Sequence, residues 1–135
     1  MAERKRVLVV DDDAVIRTQL GWALADEYEV RSAATMADAL AALREFGPDA
    51  VTLDLSLTAR PGESEEGLEI LAAAQDAPAR PKVVMLTGSG QRLHAVRSIG
   101  LGAFDYCEKP VDLDELLVVL RRAVRVRELE GAGGP

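Results

Sequence analysis

Short apolar runs alternate with longer stretches of helical spacing along the chain. Five runs predict β-strands, and four of them are short and bounded by polar or turn residues, as buried strands are. YEVRSA has the weakest strand pattern of the five, so we expect it at an edge of the sheet. The five predicted strands are residues 6–10, 28–33, 50–55, 82–87 and 104–109.

Helical spacing fills the intervals between these strands. Thr35 is a predicted N-cap of the second helix, and Asp112 with Glu115 forms a capping pair for the last one. We expect Trp22, in the first helix, to be partly buried against a neighbouring element. The predicted core-facing positions are Ile16, Leu20, Ala23 and Leu24, then Met36, Leu40 and Leu43, then Leu68, Leu71 and Ala72, then Leu93, Val96 and Ile99, and finally Leu113, Leu116, Leu117, Leu120 and Val124.

Five strand–helix units in 135 residues predict an α/β fold. Right-handed crossovers place helices on both faces of a doubly wound parallel sheet. We predict five strands in the flavodoxin-like order 2-1-3-4-5. Ligands of such folds bind beyond the carboxyl ends of the strands, so the residues at those ends are the candidates for chemistry.

Composition limits the kinds of protein this can be. With 48% hydrophobic and 29% charged residues, the chain should be one globular domain. A net charge of -7 opposes non-specific binding to nucleic acid. Cys107 is the only cysteine, which excludes an internal disulfide and a thiolate metal cluster. The N-terminus lacks the features of a signal peptide and no run approaches ~20 apolar residues, so we expect a cytoplasmic protein without a membrane segment.

Carboxylates stand at two of the predicted strand ends. Asp11, Asp12 and Asp13 follow the first strand, and Asp54 lies at the end of the third. Like charges within ~4 Å repel by about 1 kcal/mol even near solvent, so such a cluster favours a bound cation. Oxygen ligands of this kind suit Mg²⁺ (or Mn²⁺). We expect Asp13 to cap the first helix rather than to bind metal.

Four motifs together resemble the receiver domain of bacterial two-component response regulators. They are LVVDDDAVIR, VTLDLSL, VVMLTGSG and GAFDYCEKPVDLDEL, and the resemblance extends from about Lys5 to about Arg127. The resemblance implies that Asp54 accepts a phosphoryl group. It also implies a metal site formed by Asp11, Asp12, Asp54 and the backbone carbonyl of Ser56, and phosphoryl-binding or switch roles for Thr87, Lys109 and Tyr106.

The resemblance also implies partners. The phosphoryl donor would be a sensor histidine kinase or a phosphotransfer protein, and a homodimer would form through the fourth helix, fifth strand and fifth helix. The last motif resembles receivers attached to enhancer-binding transcription activators with an AAA+ module, so the chain is either part of a longer regulator or a stand-alone receiver. We expect the arginines of RRAVRVRELE to form a solvated helix end, so that this domain does not itself bind nucleic acid.

The expected division is a receiver at residues 1–128 and a flexible tail or start of a linker at 129–135. One segment inside the expected receiver departs from the usual pattern of the family. The segment from Asp54 to Gly67 is about five residues longer than in most receivers, and it reads as an exposed loop because it is rich in Glu, Ser, Gly and Pro.

Two other functions stay open from the sequence. A pseudo-receiver would bind partners without phosphoryl chemistry. DLSLT, residues 54–58, also resembles the DxDxT motif of haloacid dehalogenase-like phosphatases, although Ser56 replaces the second aspartate. Incubation with acetyl phosphate and Mg²⁺ would separate the three, because only a regulator gains a phosphoryl group and only a phosphatase turns substrate over.

Overall fold

The computed structural model describes residues 4–54, 66–88 and 90–132. Within these ranges five strands alternate with five helices, and each described strand limit lies within one residue of its predicted position. The elements are β1 (Arg6–Val10), α1 (Ala14–Leu24), β2 (Glu29–Ala33), α2 (Met36–Glu45), β3 (Ala50–Asp54), α3 (Glu66–Asp76), β4 (Lys82–Thr87), α4 (Arg92–Gly100), β5 (Asp105–Glu108) and α5 (Leu113–Ala132).

The strands form one parallel sheet in the order β2-β1-β3-β4-β5, which confirms the predicted order. The polar strand β2 lies at an edge, also as predicted. In the register of the central strands, Asp54 lies beside Leu86, and Thr87 lies beside Glu108. Since all strands run in one direction, their carboxyl ends meet at one edge of the sheet, and this edge carries the polar residues.

The core consists of two apolar clusters, one on each face of the sheet. Alternating residues of β1 divide between them, with Leu8 in the first cluster and Val9 in the second. Helices α2 and α3 cover the first cluster, whereas α1 and α5 cover the second and bury Leu20 and Leu120 there. The prediction of helices on both faces is therefore confirmed.

The predicted inward face of α4 is wrong. Leu93 and Val96 are 83% and 55% exposed, and the buried residues of this helix are Ala95 and Ser98. Small side chains let the helix approach the sheet closely, so the large apolar residues are left on the solvent side. Two further positions predicted to face the core, Ala72 and Leu113, are also exposed, although their neighbours in the same helices are buried.

Trp22 is also exposed, at 82%, which corrects the prediction that a neighbouring element partly buries it. Its ring borders an open groove of about 720 Å³ between α1 and residues 109–113. Ile16, Leu20, Val111 and Leu113 contribute to the same groove. We refer to it as the α1 groove.

Helix α5 continues through Ala132, past residue 128, where we expect the receiver to end. Arg127 is half-buried and binds Asp49 at 2.6 Å, so the predicted solvated helix end is wrong for this arginine, whereas Arg125 is exposed as expected.

In the part of the chain that the structure describes, no helix combines the length and the apolar character needed to cross a membrane.

Candidate functional site

Asp11 is the first residue beyond β1, and its groups are fixed on several sides. Its backbone N–H donates to the carbonyl of Ala33, and its own carbonyl accepts from Arg17 Nη1 at 2.8 Å. Its carboxylate is fully buried, with Oδ1 accepting from the backbone N–H of Asp13 at 2.9 Å. The buried carboxylate is therefore held in one orientation at the carboxyl edge of the sheet.

Asp13 caps α1, as the sequence predicts. The Asp13 carboxylate caps α1 by accepting from the backbone N–H groups of Val15 and Ile16, at 2.8 and 3.4 Å. Asp12 is exposed, and its carboxylate lies in a group with those of Asp11 and Asp54. The cap keeps Asp13 out of this group of acids.

Asp54 ends β3 and is almost completely buried, at 3% exposure. One oxygen from each of Asp11, Asp12 and Asp54 lies within 4.8 Å of the other two. Lys109, which follows β5, places Nζ 3.1 Å from Asp11 Oδ2 and 3.3 Å from Asp54 Oδ1. Three strand ends thus bring three carboxylates and one ammonium group together.

The pKa values reflect how closely these charges are packed. Burial raises the pKa of Asp11, and the nearby Asp54 charge adds to the increase, although the Asp13 hydrogen bond and Lys109 oppose it. Burial lowers the pKa of Lys109, but Asp54 and Asp11 raise it by more, so the pKa of this lysine lies above its ordinary value. Lys109 therefore stays charged at neutral pH, and it offsets only part of the negative charge.

The carboxylate group fits a small divalent cation. All of its donors are oxygens, the ligands that Mg²⁺ prefers, and exposed Asp12 gives access from solvent. Two buried acids with one lysine leave a charge excess that a cation would neutralise. The fourth predicted ligand, the carbonyl of Ser56, lies outside the described residues.

Thr87 is a buried polar residue at the end of β4, the strand that pairs with the one ending at Asp54. It ends β4, its side chain is buried, and its Oγ1 has no hydrogen-bond partner among the described residues. The backbone carbonyl of Thr87 accepts from the N–H of Lys109 at 2.7 Å, which joins the ends of β4 and β5. Tyr106 lies beside Met85 in the sheet and is half-buried against the first core cluster.

Sequence reasoning missed two contacts at this edge. One is the hydrogen bond from Arg17 to the Asp11 carbonyl. The other is a pair of bonds between Gly88 and Gln91: the Gly88 N–H donates to Gln91 Oε1 at 2.6 Å, and the Gln91 N–H donates to the Gly88 carbonyl at 3.2 Å. Both depend on the orientation of a polar side chain, from Arg17 in α1 and from Gln91 just before α4, and the sequence pattern indicates only that polar residues lie near these strand ends.

Cys107 does not belong to the site. It is buried in the second core cluster, and burial, together with the charges of Glu115 and Asp105, raises the pKa of its thiol to about 11. Cys107 is therefore a buried residue of the apolar core.

Comparisons with known proteins agree with this geometry. The chain matches the sequence profile of the response regulator receiver domain over residues 7–121. It is 37% identical over 125 residues to an NtrX-like response regulator of Rickettsia bellii, a match that covers 92% of this chain and 26% of the relative. It is 30% identical over 131 residues to the regulatory protein AtoC of Escherichia coli K12, covering 96% of this chain and 27% of AtoC.

Solved structures give the same result. The receiver domain of NtrX from Brucella abortus superposes with a TM-score of 0.78 at 38% identity, covering 88% of this chain and 98% of that domain. The chain spans about a quarter of the length of these two curated relatives, at 26% and 27%. On the profile match, the relatives and the shared fold, the chain belongs to the response regulator receiver domain family.

Proposed function

We propose that Asp54 accepts a phosphoryl group and that the domain thereby switches an interaction surface. The observation that carries this proposal is the position of Asp54: a buried carboxylate at a strand end, beside Lys109 and two further acids. A carboxylate can act as a nucleophile toward phosphorus and form an acyl phosphate. The chemistry is self-phosphorylation and autodephosphorylation in signalling, not turnover of a diffusible substrate.

In the transfer step, a carboxylate oxygen of Asp54 attacks phosphorus and forms a new P–O bond. The bond from phosphorus to the donor breaks, and the leaving group keeps the electron pair. Negative charge spreads over the equatorial phosphoryl oxygens during this step. Lys109 Nζ lies 3.3 Å from Asp54 Oδ1 and would stabilise that charge.

We propose that Asp11, Asp12 and Asp54 hold Mg²⁺ (or Mn²⁺), with the Ser56 carbonyl as a further ligand. When bound, the cation would offset charge on the phosphoryl oxygens and on the acids. Asp12, as the exposed member, would exchange water for metal most readily, whereas Asp11 is already held by Lys109 and by the Asp13 amide.

We propose that the donor is the phosphohistidine of a sensor histidine kinase or a phosphotransfer protein in the cytoplasm. The α1 groove supports this idea, because it is apolar and open and runs directly beside Lys109. A helix of a donor protein could lie there with Trp22 at its side. Partner docking would then place the phosphohistidine over Asp54.

For the output we propose transcription regulation through further domains of a longer regulator with an AAA+ module. The names of the relatives, response regulators of the NtrX and AtoC type, support this proposal. In such a protein residues 1–128 would form the receiver and 129–135 the start of a linker. Within the receiver, the Thr87 hydroxyl would donate to the phosphoryl group and Tyr106 would move with it, altering a homodimer surface of α4, β5 and α5.

The test is incubation with acetyl phosphate and Mg²⁺, followed by intact-mass analysis. We expect the wild-type protein to gain the mass of one phosphoryl group and Asp54→Asn to gain none. Asp38→Asn, an exposed acid in α2, is the matched control and should label normally. Full labelling of Asp54→Asn would exclude Asp54 as the acceptor, and an unlabelled wild type would favour the pseudo-receiver.

A further inference from the structure

The Gln91 side chain bonds to Gly88, the residue after Thr87, rather than to the first turn of α4. It occupies the N-cap position of α4, but its side chain makes no capping hydrogen bond there. The side chain instead turns back, and its Oε1 accepts from the Gly88 N–H at 2.6 Å. The return bond from the Gln91 N–H to the Gly88 carbonyl, at 3.2 Å, closes a ring between the two residues.

The amide of Gly88 lies at the edge where a phosphoryl group on Asp54 would be. Asp54 lies beside Leu86 in the sheet, and Gly88 is two residues beyond Leu86 in the same chain direction. Adjacent strands are about 4.8 Å apart, so a group that extends from Asp54 past the sheet edge reaches the end of β4. A backbone N–H in that position is a natural donor to phosphoryl oxygens.

We propose that Gln91 is a positioning residue that competes with the phosphoryl group for the Gly88 N–H. In the free protein the side-chain carbonyl of Gln91 holds this donor. A phosphoryl group must displace the Gln91 side chain before it can accept a hydrogen bond from the Gly88 N–H. The displacement loosens Gly88, the first residue after β4. The inference rests on the proposed role of Asp54.

The neighbouring groups make this competition specific to one donor. The Thr87 hydroxyl is buried and has no partner among the described residues, so it can turn to the phosphoryl group without losing a hydrogen bond. The Thr87 carbonyl is held by the Lys109 amide and stays with β5. Of these groups at the end of β4, the Gly88 N–H is the donor that has to change partners.

Three substitutions of α4 residues separate this role from a purely structural one. Gln91→Met keeps the length of the side chain but removes the acceptor. Gln91→Glu keeps the acceptor and adds a negative charge, which strengthens the bond to Gly88 and repels the phosphoryl group. His94→Gln, at an exposed position on the same helix, is the control.

The measurements are the NMR shift and hydrogen exchange of the Gly88 amide in the free protein, and the affinity for beryllofluoride in the presence of Mg²⁺. We expect Gln91→Met to weaken protection of the Gly88 amide and to bind beryllofluoride roughly two- to tenfold more tightly, as loss of one competing hydrogen bond implies. Gln91→Glu should bind several-fold more weakly, and His94→Gln should match wild type.

An unchanged Gly88 amide in Gln91→Met would overturn the proposal, as would changes of beryllofluoride affinity in the same direction for Gln91→Met and Gln91→Glu. A wild-type protein that does not bind beryllofluoride would overturn the proposed function of Asp54 instead. The amide measurement in the free protein distinguishes these failures, because it does not depend on Asp54 chemistry.

Discussion

At the scale of single residues, we propose that the consecutive aspartates Asp12 and Asp13 have different roles, because Asp13 caps α1 whereas Asp12 lies with Asp11 and Asp54. Asp12→Ala should weaken Mg²⁺ binding by roughly tenfold or more, since it removes one of three carboxylates from the group. Asp13→Ala should leave Mg²⁺ binding unchanged but lower the free energy of unfolding by about 1 kcal/mol through loss of the N-cap.

Isothermal titration calorimetry with Mg²⁺ and urea denaturation measure the two effects separately. Each variant serves as the control for the other, because they are adjacent and carry the same change in charge. If both lose Mg²⁺ affinity equally, the division of roles between metal binding and helix capping is wrong.

Two threonines bury the same hydroxyl group but lie at different positions in the sheet. Thr52 and Thr87 both bury a hydroxyl without a partner among the described residues, and Thr52 lies in the middle of β3. A buried unsatisfied polar group costs about 1–3 kcal/mol, so Thr52→Val should raise the free energy of unfolding by about 1 kcal/mol.

Thr52→Val should also leave beryllofluoride affinity at the wild-type level. Thr87→Val should be stabilising for the same reason, but it should weaken the coupling between beryllofluoride and the Tyr106 ring in NMR spectra. Destabilisation by Thr52→Val in thermal or urea unfolding would contradict the prediction, and would indicate a buried water that bonds the hydroxyl.

At the scale of elements, α5 is held to the sheet near both of its ends. Near its start, Leu116 and Leu120 are buried in the second core cluster. Near its end, Arg127 Nη1 binds Asp49 Oδ1 at 2.6 Å, and Arg127 also donates twice to the carbonyl of Ala79. Asp49 in turn accepts from the backbone N–H of Arg6, so one carboxylate connects β1, β3 and α5.

We expect Arg127→Met to lower the free energy of unfolding by about 2 kcal/mol, because it leaves the largely buried Asp49 carboxylate and the Ala79 carbonyl with fewer partners. Arg125→Met is the matched control in the same helix. Its arginine is exposed and forms its one ion pair among the described residues with Glu128, so it should cost less than about 0.5 kcal/mol. Urea denaturation checks both values, and equal losses would refute a specific role for Arg127.

At the scale of the whole molecule, α4 presents large apolar residues to solvent. Leu93, Val96 and Ile99 are 83%, 55% and 38% exposed, and Val118 of α5 is 52% exposed. A cluster of exposed apolar side chains often marks an interaction surface. These residues belong to the helices that we propose to form the homodimer surface.

We therefore expect beryllofluoride with Mg²⁺ to increase self-association of the wild-type chain in sedimentation velocity experiments. Leu93→Glu should reduce this increase by roughly tenfold in association constant, as expected for a charge placed in an apolar interface. Trp22→Glu, also highly exposed but in the α1 groove, should dimerise like wild type. Equal losses for both variants, or no dependence on beryllofluoride, would contradict this assignment of the surface.

The sequence alone determined the elements and the edge of the sheet that carries the site. Strands can be predicted from apolar runs such as RVLVV because the prediction needs only the pattern of adjacent residues. The described strand limits fall within one residue of the predicted ones. The Asp13 cap is a local contact with the next turn of chain. Asp54, Thr87 and Lys109 were found together because parallel strands bring their carboxyl ends to one edge, a consequence of topology that needs no side-chain detail.

The tertiary structure decided which side of each helix faces the core and which distant groups meet. The helical spacing in α4 allows either the face with Leu93 or the face with Ala95 to pack on the sheet. The face with Ala95 is the buried one, because its smaller residues allow closer packing. Trp22 stayed exposed because no element covers its position on α1 among those described. The bonds from Arg127 to Asp49 and from Gly88 to Gln91 depend on orientations in three dimensions, which a linear pattern of polar residues does not encode.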